Sequence, residues 1–442
     1  MTILADALEA LPNRVFVTTE PETLDFTNPT RAASLVIMGP EARIDVPFPR
    51  TNKEFHETLG LVRHYIAREG LTVIGWNLKS LFSYVLGRKA NLCFESRLID
   101  LKPMEAFRDV RRDCPKTYQE ALQRLTEIVK CPEWGQLSQV YQEVHLPLIT
   151  RVLPGMESTG LNDVRAGRAL FPFYEVEGQV NGRLRCASMF SYGYSPHNLT
   201  TEQKDCFRPT EYDRLFLYFD FRHMEVATLQ WLAKDEVLGE IFESGGDVYC
   251  GIWERVTGLE CGDRYRQTCK DMFLPVIYGQ GARSLAVRLG VNEITGKKLV
   301  SGIYRTFPAS SSWASNSQAS LDVEEYVHDH FGRRRKFEDD YYKIRNFCVQ
   351  APAAIVCLHK LVLLFDLLEK NKDIGKLVYS LHDGYGILAE KRNWRKVAIL
   401  AQQVLEAEDH LYPGLRLRTA LQVGEKLSQL RVVESLDSFT IF

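Results

Sequence analysis

The sequence predicts an α/β protein of two or three domains. Three observations carry this. Strand-like and helix-like segments alternate over the first 130 residues. A short aromatic run, Leu215–Phe219, ends abruptly in Asp220 and precedes an amphipathic stretch. A second apolar stretch, LVYSLHDGYGILAE, is divided by Asp383-Gly384. A chain of 442 residues with 45% hydrophobic residues can fill that many cores.

In the N-terminal part, Val15–Thr18, Ser34–Gly39 and Leu71–Gly75 read as strands. Asn52–Glu69 reads as an amphipathic helix with Thr51 or Asn52 as its cap, and a further helix is expected around Leu78–Leu86. This order suits a three-layer domain with a mixed sheet. A metal-dependent nuclease needs paired acids near the first strand. VFVTTEPETL offers Glu20 and Glu22 but no Asp, so this part reads as structural or docking. Residues from about 115 to 170 read as helical, with kinks or breaks at Pro147 and Pro154. Phe171–Arg208 is rich in turn formers, including Asn181-Gly182-Arg183-Leu184 and the segment Ser195–Leu199.

Leu215–Phe219 is short and aromatic enough for a strand buried on both faces. An Asp is seldom buried without a partner, so the carboxylate ending that strand marks a site. Met224–Leu232 reads as a helix, and Asp235–Ser244 as another closed by Gly245-Gly246. In DRYRQTCKDMFLPVIYGQG, Arg266 and Lys270 share one helix face a turn apart, with Phe273 nearby and a kink expected at Pro275. Two cations in one stripe suit a polyphosphate; a solvated basic face is the plain alternative.

Residues 281–330 read as helices, with a poor or loose one at Ala309–Ser320 and surface histidines at His328 and His330. FGRRRKFEDD is open to two readings, a phosphate contact or a solvated charge run. Asn346–Phe365 reads as an apolar helix carrying Gln350, broken or started at Pro352. Asp383-Gly384 suits a type I′ hairpin, with Asp383 at its tip and His382 beside it. Asn393–Arg431 reads as a helix, a turn at Tyr412-Pro413-Gly414 and a short strand.

The ten cysteines show no metal-ligand spacing, which argues against structural zinc and for a reducing, intracellular setting. No secretion signal and no run of membrane-spanning length is read. A net charge of -2 confines any grip on phosphates to patches such as Arg333, Arg334, Arg335 and Lys336. Two acids and a cationic helix together imply phosphoryl transfer on nucleotides.

In this order the segments resemble DNA polymerases of family A. DFRHMEVA is similar to the family's first palm motif, usually DYSQIELR. RQTCKDMFLPVIYG is similar to its fingers-helix motif, and LHDG to its second palm motif, usually VHDE. Weaker echoes are NGRL and SPHNL before the first motif, FGRRR and NFCVQ before the last, and QEVHLPLITRVLPGMESTGL as the helix leading into the polymerase domain. The resemblance spans residues 138 to 430.

It implies an RNase H-like exonuclease-type domain over 1–130 and a right-hand polymerase domain over 131–442. The palm falls at about 171–250 and 340–442, and the fingers at about 251–339. GWNLKSL resembles an exonuclease motif, but Leu81 stands where a metal-binding Asp is usual, implying an inactive domain. Only about twenty residues separate Leu161 from Asn181, so the long thumb is reduced or absent.

The resemblance assigns two Mg²⁺ ions, with Mn²⁺ able to substitute, to Asp220 and Asp383. It assigns catalysis to these and Lys270. Nucleotide binding falls to Arg266, Lys270, Glu225, Leu274, Tyr278 and Tyr249, and DNA binding to Arg183, Asn198, Gly279, Gln350, His382, Arg333 and Arg334. The implied partners are primer-template DNA, deoxynucleoside triphosphates and a replication protein that replaces the thumb's grip, with no membrane. Leu274 replaces a usual aromatic, Pro275 a Gly, Tyr249 a His, Ala227 an Arg and Gly384 a Glu. A catalytically impaired replisome scaffold and a primase-like or short-gap polymerase are the alternatives.

Overall fold

The strand Arg14–Glu20 runs antiparallel to Ser34–Met38 and parallel to Thr72–Gly75. Across this mixed sheet the order is 43–47, 34–38, 14–20, 72–75, 97–100. The structure is a computed structural model. It describes residues 2–20, 34–47, 52–66, 68–78, 97–108, 113–157, 159–172, 174–176, 179, 181–186, 193–211, 213–319, 326–337 and 343–436.

Alternate residues of a strand share a face. Val15, Val17, Leu35 and Ile37 bury one face against Leu8 of the helix Thr2–Glu9 and Val62, Tyr65 and Ile66 of the helix Asn52–Ile66. The helix Tyr118–Val129 packs on the strand Arg14–Glu20. The helix from Asn52 ends at Ile66, short of Glu69, and Gly70 takes a positive φ of 75° just beyond it. Glu22, Leu81 and the helix expected at 79–86 lie outside the described residues, as does the side chain of Glu20.

By its internal contacts the chain forms two units. One comprises Met1–Asp220, Cys357–Leu405 and Thr419–Phe442; the other comprises Phe221–Val356 and Glu406–Arg418. In the first, helix runs from Trp134 to Glu157 despite both prolines. Two π-helical stretches, Tyr141–His145 and Leu148–Val152, flank Pro147 and accommodate its missing donor. Between Leu161 and Asn181 stand the hairpin strands Leu161–Asp163 and Arg168–Pro172 and no helix among the described residues. Another five-stranded sheet of this unit has the order 375–381, 384–390, 214–221, 419–424, 431–432. Its strand Arg214–Phe221 buries Leu215, Phe216, Leu217 and Phe219 completely, as the aromatic run predicts.

The second unit is helical and packs around Val226, Ile252, Met272, Phe273, Ile303 and Phe307. The Ser/Ala-rich segment is an ordered helix, Pro308–Ala319. Its first turn is held because Asp235 Oδ2 accepts from Ser310 N at 2.9 Å and Ser310 Oγ at 2.8 Å. The helix Asp263–Ile277 runs through Pro275, and Ile344–Lys370 runs through Pro352 instead of breaking there. Fully buried neighbours such as Ala351, Ile355 and Val356 outweigh the local cost of the proline.

At 27 residues, Ile344–Lys370 is long and apolar enough to cross a bilayer, contrary to expectation; 83% of its apolar window is buried inside the protein, as in a core helix. A disulfide joins Cys250 to Cys261, a pairing that the scattered cysteine spacing does not suggest.

Candidate active site

The ladder between Arg214–Phe221 and Gly384–Glu390 places Asp220 opposite Gly384. Asp383 therefore stands next to Asp220, and both are half-buried. The hairpin turns on His382 and Asp383, not on Asp383 and Gly384. Leu381 pairs with Gly384, the positive φ of 51° falls on His382, and Gly384 is already strand. A type I′ turn needs positive φ at both central residues. Glycine at 384 serves space instead: a Cβ there would lie 2.1 Å from Tyr218 Oη.

That hydroxyl donates to Asp220 Oδ1 at 3.2 Å. Burial, with the charges of Asp220 and Asp383, pushes Tyr218 far above its ordinary pKa, so it remains a donor. His382 is exposed and stacks on His197, centroids 4.4 Å apart and planes 8° apart. Burial and the neighbouring His382 push His197 down to about 4. Burial and the Arg183 charge lower His382, with Asp383 opposing them. Asn198 is exposed at the end of the turn Pro196–Asn198.

The carboxylates of Asp220 and Asp383 are hard oxygen donors. Mg²⁺ is commonly held by one or two carboxylates, with water and substrate phosphate completing its shell, so the pair fits that ion. Among the described residues no group of three or more His, Cys, Asp or Glu gathers to hold a metal.

In the second unit, Glu225 lies in the first turn of Met224–Ala233. Tyr278 Oη donates to its Oε2 at 3.1 Å and Gln350 Nε2 to its Oε1 at 3.0 Å. The helix Asp263–Ile277 buries Cys269, Met272, Phe273 and Val276 and leaves Arg266, Lys270 and Leu274 on its other side. Arg266 Nε donates to Asp247 Oδ2 at 2.7 Å, and its guanidinium lies 5.9 Å from the Tyr249 ring centre. Burial would raise the Asp247 carboxyl, but the Arg266 hydrogen bond and the Cys250 N–H hold it below its usual value. Tyr249 is pushed up to about 12, chiefly by burial. His223, at a φ of 57°, meets Tyr249 edge-on at 4.8 Å. Burial lowers its pKa; Asp247 opposes this, while Arg266, Arg222 and Lys270 add to it. Gly279 is exposed at a φ of 103° beside the Arg345 guanidinium.

Arg333 departs from expectation. It is 1% exposed, so its side chain is not offered to DNA. Asp329 Oδ1 accepts from the N–H groups of Phe331 and Arg333, which folds the run inward. Arg334 is half-buried over the Tyr326 ring at 4.3 Å. His328 and His330 are on the surface. The first unit thus holds Asp220, Asp383, His382, Arg183 and Asn198, and the second holds the other predicted residues. Tyr218, His197, His223 and Asp247 join these groups without a local sequence signal, save that Gly384-x-Gly386 leaves room for the rings of Tyr218 and Tyr379.

The sequence profile of DNA polymerase family A matches residues 195–429. The thermostable DNA polymerase I of Thermus aquaticus is 26% identical over 226 residues, covering 48% of this chain and 27% of that one. DNA polymerase I of Streptococcus pneumoniae (strain ATCC BAA-255 / R6) is 24% identical over 218 residues, covering 46% and 25%. DNA polymerase theta of Drosophila melanogaster is 22% identical over 248 residues, covering 51% and 12%. The chain therefore spans about a quarter or less of the length of these relatives. The POL domain of Pol1 from M. smegmatis, solved in complex with DNA primer-template and dNTP, shares the fold with a TM-score of 0.73 over 97% of each chain, at 13% identity. With that profile covering more than half of its residues, the chain belongs to DNA polymerase family A.

Proposed function

We propose that the chain is a template-directed DNA polymerase that adds deoxynucleotides to a primer 3′ end. The observation that supports it most is the ladder register of Asp220 against Gly384, the residue that follows Asp383. Bound Mg²⁺, with Mn²⁺ able to substitute, would supply acidification of the primer hydroxyl and neutralisation of the triphosphate. Asp220 and Asp383 would hold it. Lys270 and Arg266 bind the β- and γ-phosphates, and Lys270 passes a proton to the departing pyrophosphate. Arg266 exchanges the Asp247 carboxylate for phosphate as nucleotide arrives.

Glu225, held by Tyr278 and Gln350, keeps its carboxylate at the sugar 2′ position and excludes ribonucleotides. Leu274 and Tyr249 line the nucleotide, while Tyr278 and Gly279 abut the templating pair. Gln350 and Arg183 contact the minor-groove side of the duplex, His382 meets the primer end, and Asn198 and Arg334 contact backbone. Template pairing carries the sequence information, so binding is salt-sensitive and sequence-independent.

Residues 1–130 are proposed as a degenerate exonuclease-type domain without proofreading. The mixed sheet supports this, as does the first strand, RVFVTTE, which lacks Asp. The short hairpin between Leu161 and Asn181 supports a reduced thumb, weak DNA grip and a replication partner that compensates. The test is primer extension on a primed template with Mg²⁺ and all four dNTPs, with and without partner proteins. Extension supports the reading. Stable DNA binding with no incorporation under any metal rejects it in favour of a scaffold.

A further inference from the structure

Two glycines on Gly384–Glu390 form a floor for two tyrosines. A Cβ at 384 would lie 2.1 Å from Tyr218 Oη, and one at 386 would lie 2.3 Å from the Tyr379 ring. The two rings stack, centroids 6.3 Å apart and planes 22° apart. Tyr218 faces Gly386 across the ladder, and its ring runs along the strand toward 384. Its hydroxyl thereby reaches Asp220 Oδ1 at 3.2 Å. A carboxylate at a strand end has a broad terminal torsion, and a hydroxyl fixed by packing selects one orientation of it.

We propose that Tyr218 is a positioning residue for the metal-binding carboxylate Asp220, its hydroxyl occupying the space that any side chain at 384 would need. This rests on the polymerase reading of the same site. Tyr218 and residue 384 are also mutually exclusive: a side chain at 384 is tolerated only when the tyrosine ring is removed.

The test uses the full chain. Free Mn²⁺ is followed by electron paramagnetic resonance without DNA or nucleotide, single-turnover incorporation is followed against Mg²⁺, and thermal midpoints are taken in EDTA. Tyr218→Phe keeps the ring on its glycine floor. It is expected to weaken Mn²⁺ binding and raise the half-saturating Mg²⁺ by about tenfold, the size of a lost hydrogen bond to a charged group, with the midpoint unchanged. Gly384→Glu alone is expected to lower the midpoint. Tyr218→Ser with Gly384→Glu is expected to raise the midpoint above that of Gly384→Glu alone and bind Mn²⁺ at least as tightly as wild type.

Metal dependence of Tyr218→Phe within twofold of wild type would overturn the proposal. So would a double variant no better than Gly384→Glu alone, and so would a wild type that binds no Mn²⁺. A wild type that binds Mn²⁺ in a Tyr218-dependent way but incorporates nothing would reject the polymerase reading and leave the positioning role standing.

Discussion

The hydroxyl of Tyr278 donates to the Glu225 carboxylate at 3.1 Å, across 53 residues of sequence. Gln350 occupies the other oxygen at 3.0 Å. The carboxylate is thus pinned from the end of one helix and the interior of another. Gln350→Ala or Tyr278→Phe should loosen it and lower discrimination against ribonucleotides by roughly 10- to 100-fold, given that a hydrogen bond to a charged group contributes about 1.5–3 kcal/mol. The check is the ratio of kcat/KM for dATP and ATP in each variant. An unchanged ratio would remove Glu225 from sugar selection.

Arg266 and Lys270 should separate kinetically. Arg266→Ala removes a charge-assisted phosphate contact and should lower kcat/KM for dNTP by about 10- to 100-fold, mostly through KM. Lys270→Ala should act mainly on kcat if, as proposed, this side chain gives a proton to the departing pyrophosphate. Equal changes in KM for both would contradict the division of roles.

The sequence made the two acids visible, and the reason is local. An aromatic run that stops at Asp220, and a hairpin dipeptide between apolar flanks at Asp383, are short-range signals. The register that sets Asp220 against Gly384 pairs two strands far apart in the chain with no connecting turn to fix it, so no local pattern carries it. Gly384 was read as a φ residue when its role is room for Tyr218, and side-chain crowding from another strand leaves no mark on a dipeptide. Arg333 reads from sequence as a phosphate contact or part of a solvated charge run, yet a turn closed on Asp329 buries it. Pro352 looked like a helix break, and burial of its neighbours overrides that preference. The π-helical stretches around Pro147 follow the same pattern of local cost absorbed by packing.

Asp100 supplies a pH test of the N-terminal sheet. It is 1% exposed and accepts from the N–H groups of Asn77, Leu78 and Lys102, yet burial raises its pKa to about 6. The folded chain then holds this proton more tightly than the unfolded chain, whose value is 3.8. Stability relative to Asp100→Asn should rise as pH falls from about 7 to about 4, by on the order of 3 kcal/mol, and be lost as pH climbs through about 6. Urea unfolding across that range checks it, and a flat difference would contradict it.

Gly386→Ala should destabilise the chain by about 1–3 kcal/mol, because the new methyl meets the buried Tyr379 ring at 2.3 Å. Urea midpoints read the loss. Gly414, where a Cβ would meet nothing within 4 Å, takes a positive φ of 80°. Gly414→Ala tests strain without crowding and should lose less.

The most direct measurement is single-nucleotide incorporation on a primed template with Mg²⁺, comparing wild type with Asp220→Asn and Asp383→Asn. These variants keep size and remove charge. The account predicts clear incorporation by wild type and a loss of at least about a thousandfold in each variant, the scale on which removal of a principal electrostatic stabiliser acts. Incorporation by either variant at the wild-type rate would contradict it.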